Sequence, residues 1–142
     1  MEEVIRANAE MVIQELRSLS GLDFGYTRES VEWLEGYIER LRNSGEFDNV
    51  ETKDKLVSVF GSYLGECLVR CYDGTWQEHG EGDWCVAFEN GTRAFPFSKV
   101  RKQMDNGSSD GITSFFSAIP AILKYSSDAV VSTWKKPWWK VW

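Results

Sequence analysis

The sequence predicts an α+β domain: three N-terminal helices, a three-stranded antiparallel meander, then C-terminal helices and a tryptophan-rich tail. Three observations carry this. Apolar residues recur at helical spacing through Cys71, the period then shortens to that of strands up to Phe95, and helical spacing returns beyond Pro96. At 142 residues the chain matches one domain, with a core over 1–125 and a tail over 126–142, long enough to bury an interior without disulfide or metal support.

Val4, Ile5, Met11, Val12 and Leu16 give a first helix over 2–18, stopped at Ser20-Gly21. Thr27 caps a second, whose stripe is Val31, Leu34, Tyr37, Ile38 and Leu41, and Asn43-Ser44-Gly45 stops it. Thr52 is placed to cap a third, with Leu56, Val57, Phe60, Tyr63, Leu64, Cys67, Leu68 and Cys71 inward and Asp73-Gly74 at its end. Thr75–Glu78, Asp83–Glu89 and Thr92–Phe95 read as strands, the last two joined by Asn90-Gly91, a hairpin signal because both turn positions favour positive φ. Pro96 has no N–H for a ladder, so the third strand ends there or lies at the edge. Ser98 is placed to cap a short basic helix, Lys99–Met104. A longer one starts at Asp110 with Ile112, Phe115, Phe116, Ile119, Ile122 and Leu123 on one face, and Pro120 should kink or break it. Ser127 or Asp128 would then cap a last short helix before Pro137.

The net charge of −6 is uneven. Residues 1–54 hold 13 acids against 6 bases, and residues 98–142 hold 3 against 7. An acidic front half repels nucleic acid and suits a basic protein partner. The first residues form an acidic amphipathic segment without the pattern of an export signal, and three cysteines, an odd number, suggest reduced thiols; both point to the cytoplasm.

Glu66 is the one carboxylate in the apolar second half of the third helix, and Arg70 follows it by one turn. A helical projection turns Glu66 away from the apolar face, so the expected role is a solvated flank residue in a surface pair with Arg70. The competing reading is a buried binding or weak catalytic carboxylate, should something cover that flank. Gly61 and Gly65 lie on one side of the same helix, where each costs about 1 kcal/mol relative to alanine, so a close neighbour from the sheet or the second helix is expected against them. Cys67, Cys71, His79 and Cys85 could be drawn as a zinc set, but the spacing is not a common one and buried thiols explain the two helical cysteines better. No nucleotide, zinc-protease, calcium-loop or nucleophile-elbow motif appears, and no cofactor is implied.

The tail places Trp134, Trp138, Trp139 and Trp142 among three lysines. That mixture suits docking on the domain or on a second copy of the chain, and secondarily an interfacial membrane contact.

Tyr63-Leu64-Gly65-Glu66, Gly74-Thr75-Trp76, Pro96-Phe97, Lys99, Lys102, Asn106-Gly107 and Asp110-Gly111-Ile112 before Phe115-Phe116 together resemble a family of small uncharacterised bacterial α+β domains over roughly residues 55–123. The resemblance implies no activity; it makes Gly65-Glu66 either a structural seam or a binding cleft. The expectation is therefore a non-catalytic bacterial interaction domain, immunity-like or antitoxin-like, binding through Glu66, Arg70, Trp76 and the tail tryptophans. An enzyme using Glu66 in a cleft with Arg70, His79 or Asp83 is the alternative, and membrane binding through the tail is a third.

Overall fold

The computed structural model describes residues 1–130, with side chains to 124. Helices α1 (Glu2–Ser20), α2 (Arg28–Asn43) and α3 (Val50–Tyr72) precede strands β1 (Thr75–Glu78), β2 (Trp84–Ala87) and β3 (Arg93–Ala94), and α4 (Pro96–Asn106) and α5 (Ile112–Val130) follow. This is the expected α+β order. Two short 3-10 turns, Glu46–Asp48 and Ser108–Asp110, precede α3 and α5, and α5 starts at Ile112 rather than at Asp110.

Local chemistry sets most boundaries. Thr27 caps α2 by accepting from the Ser30 N–H at 3.2 Å. The cap of α3 is Asn49 rather than Thr52: the Asn49 side-chain Oδ1 accepts from the Thr52 N–H at 3.0 Å, so the helix begins a turn earlier than expected. Asp73 takes the left-handed conformation that ends α3, at φ 58°. Likewise α4 begins at Pro96, in the first helical position where a missing N–H costs nothing, and Ser98 is inside the first turn instead of capping it.

The sheet has order β1-β2-β3 and is antiparallel throughout. Trp76, Val86 and Ala94 stand opposite one another and form a buried row facing the helices. The β2–β3 connection differs from the two-residue turn expected: only Gly91 has positive φ, and the Phe88 N–H and Thr92 carbonyl close a longer loop at 2.9 Å.

Helix α3 is the central element, buried along most of its second half and packed by α1 on one side and α4 on another. The N-terminal loop is held onto it: the Tyr63 hydroxyl donates to the Gly25 carbonyl and the Tyr63 ring packs against Phe24 and Tyr26. Of the three thiols, Cys67 and Cys85 are buried, whereas Cys71, expected inward, is exposed and lies 3.3 Å from the Tyr26 carbonyl. Val4 and Met11 are likewise outside the core that Ile5, Ala9, Val12, Ile13 and Leu16 enter. Helix α5 passes unbroken through Pro120, Ser127 and Asp128, so the expected break does not form, neither Ser127 nor Asp128 starts a new helix, and the rest of the expected last helix lies outside the described residues. Pro120 itself lies on the exposed side of the helix. Trp134, Trp138, Trp139 and Trp142 lie outside the described residues.

Candidate functional site

Glu66 is not a solvated flank residue: it is 2% exposed. Trp76, arriving on β1 directly after α3 ends, folds back over that flank, and its indole N–H donates to Glu66 Oε2 at 2.8 Å. Arg70 Nε donates to Oε1 at 3.2 Å, in the expected i,i+4 pair. Both carboxylate oxygens are therefore engaged, which is what allows a charge to be buried here.

The glycines explain how Trp76 gets in. A Cβ added at Gly65 would overlap the Trp76 six-membered ring, and one at Gly61 would overlap the Phe97 ring of α4. The close approach expected from the sheet is thus real, and the second partner is α4 rather than the second helix. Arg70 continues the network outward: its guanidinium lies 4.2 Å from the Tyr26 ring centroid and 3.8 Å from Glu10, which accepts from the Tyr26 hydroxyl at 2.9 Å.

His79 and Asp83 do not join this group. The His79 N–H donates to the Asp83 carbonyl at 2.6 Å to close the β1–β2 loop, and the His79 ring meets Phe95 and Arg93, with Arg93 Nη1 3.4 Å from Nδ1. Among the described residues neither makes a hydrogen bond or ion pair with Glu66. No group of three or more His, Cys, Asp or Glu among the described residues could hold a metal ion.

Two of the concave surfaces among the described residues lie elsewhere. The larger, about 360 Å³, runs between the start of α1, α3 and the β1–β2 loop. Met1, Val4, Val57, Trp84 and Phe97 supply its apolar lining and Asp54 and Asp83 its charge; no lysine, arginine or histidine side chain lines it. Met1, Val4 and Met11, spaced along one flank of α1, are 67%, 56% and 43% exposed. The smaller, about 120 Å³, lies between β3, α4 and α5 and is lined by Arg93, Ala94, Phe95, Ser98, Lys99, Lys102 and Phe115. Neither pocket includes Glu66.

A buried polar cluster was missed by sequence reasoning. Gln103 of α4, fully buried, donates to the Glu35 carbonyl at 3.0 Å and accepts from the Ile112 N–H at 3.1 Å. Glu35 Oε1 accepts from the Thr113 N–H at 3.0 Å and lies where Gly111 has no side chain. A polar residue on the buried side of an amphipathic helix is the only local signal for it.

Among the described residues no helix is long and apolar enough to cross a membrane. No protein-family model matches the chain, and no curated protein or solved structure matches it either.

Proposed function

We propose that this chain is a non-catalytic interaction domain that meets a basic protein partner through the acidic groove beside α1. The observation that carries the reading is the uncovered pair Met1 and Val4, which line a groove whose charged side chains are both carboxylates, with Met11 exposed further along α1. Isolated exposed apolar residues are ordinary; exposed ones lining an apolar concavity are the form of a docking surface. Asp54 is already paired with Arg101 at 2.9 Å, which leaves Asp83 as the free carboxylate of the lining. A partner segment with an apolar anchor flanked by lysine or arginine fits both features, and the excess of acids over residues 1–54 steers it there. The engagement of Glu66 with Trp76 and Arg70 supports a structural seam over a catalytic carboxylate. The resemblance to small bacterial domains, which brings no activity, is compatible with an immunity-like or antitoxin-like role in the bacterial cytoplasm.

The test is capture of a partner at low and high salt by the parent chain and by Val4→Glu, Asp83→Lys and Glu46→Lys variants. Glu46 is an exposed acid outside the groove lining and controls for net charge. One partner held at low salt, released at high salt, and lost with the two groove variants but not with Glu46→Lys supports the reading. Equal loss in all three, or capture indifferent to salt, overturns it. The tail carries the same tryptophan and lysine chemistry, so the series is repeated on a chain ending at Lys135. Capture that appears only after this truncation identifies the tail as the occupant.

A further inference from the structure

We propose that the pocket between β3, α4 and α5 binds a phosphoryl dianion, either free phosphate or the head of a small phosphomonoester. Three cations line it in a protein of net charge −6, and the chain folds them together from two elements: Arg93 from β3, and Lys99 and Lys102 from α4. Lys99 is paired with Asp110 at 3.3 Å, whereas Arg93 and Lys102 form no ion pair among the described residues. Asp110 also acts on Lys102, and its single negative charge set against the three cations leaves a net of two positive charges around the pocket, which matches a dianion better than a carboxylate.

The geometry agrees with the charge. Lys102 lies one turn beyond Ser98 on α4, so the ammonium and the hydroxyl belong to one face, and the planar guanidinium of Arg93 comes from the adjoining strand. Phe95 and Phe115 supply apolar walls beside these polar groups. The volume, about 120 Å³, accommodates one tetrahedral oxyanion. Long polyanions are opposed by the acidic remainder of the molecule, so the fit is to a small ligand.

The full chain is titrated with inorganic phosphate, with glycerol phosphate and with acetate at matched ionic strength, followed by calorimetry and by amide chemical shifts. Saturable binding of a phosphate species, with shifts concentrated between residues 93 and 102, is expected. Arg93→Gln and Lys102→Gln each weaken it about tenfold, the size of one charge-assisted contact. Arg101→Gln, on the same helix but paired with Asp54, leaves it within about twofold. Tighter binding of the ester identifies a phosphomonoester ligand, and tighter binding of inorganic phosphate identifies the free ion. Shifts that do not saturate, acetate binding as tight as phosphate, or unchanged affinity in both Gln variants overturns the proposal. Arg93 and Lys102 are exposed, so both variants are expected to melt with the parent chain, which separates lost binding from lost folding.

Discussion

Glu66 shows how a single side chain can be misplaced by a correct helical projection. The angle of Glu66 on α3 was right, and nothing within a few residues says that β1 returns a tryptophan across that flank. Gly65 was the legible part: a glycine in a helix costs stability unless something fills the space, and Trp76 does. Because the carboxylate is buried with both oxygens bonded, its removal strands the Trp76 N–H and opens a cavity. Glu66→Ala is expected to cost about 3 kcal/mol in urea unfolding. Trp76→Phe, which leaves Oε2 without its donor, should cost about 2 kcal/mol, and the two changes together less than their sum. Arg70, which is half exposed, should cost no more than about 1 kcal/mol as Arg70→Ala. Additive losses across the Glu66 and Trp76 pair would show that the hydrogen bond between them contributes nothing.

At the scale of elements, glycines separate helix propensity from packing. Gly36, inside α2, has nothing within 4 Å of an added Cβ, so Gly36→Ala should stabilise by about 1 kcal/mol through propensity alone. Gly65→Ala gains the same propensity but drives a methyl into Trp76, and a net loss of about 2 kcal/mol is expected. Thermal melts of the two variants should therefore move in opposite directions; a stabilised Gly65→Ala would mean that Trp76 yields freely. Most boundaries were legible because they are local: the Thr27 cap, the Asp73-Gly74 stop and the strand ended by Pro96 each depend on a few adjacent residues. The exceptions have tertiary or competing causes. Asn49 outcompetes Thr52 as a cap one turn earlier, and α5 survives Pro120 because Phe116, Ile119 and Ile122 are buried on both sides of it. The grooves were not legible, since each is assembled from several elements whose packing the sequence leaves unspecified.

For the whole molecule, the clearest coupling to solvent conditions comes from Tyr63 and Cys67, both buried in α3. Burial pushes the tyrosine hydroxyl above its ordinary value of 10.0 and the Cys67 thiol above its ordinary value of 9.0. Their folded-state values exceed those of the unfolded chain, so their contribution is complete below pH 9 and is lost as pH rises further, where the unfolded chain releases protons that the folded one retains. Unfolding midpoints should hold level up to about pH 9 and then decline, with a shallower decline in Cys67→Ala and Tyr63→Phe together. An identical decline in that double variant would place the coupling elsewhere. The Gln103 cluster bears on the time domain instead. Amides in the first turn of a helix normally lack a carbonyl partner and trade their protons with water quickly. Ile112 and Thr113 begin α5, yet Gln103 and Glu35 hold their N–H groups from two other helices. Deuterium should therefore enter these two positions only when α5 lifts away from α2 and α4, and their exchange rates become a clock for that detachment.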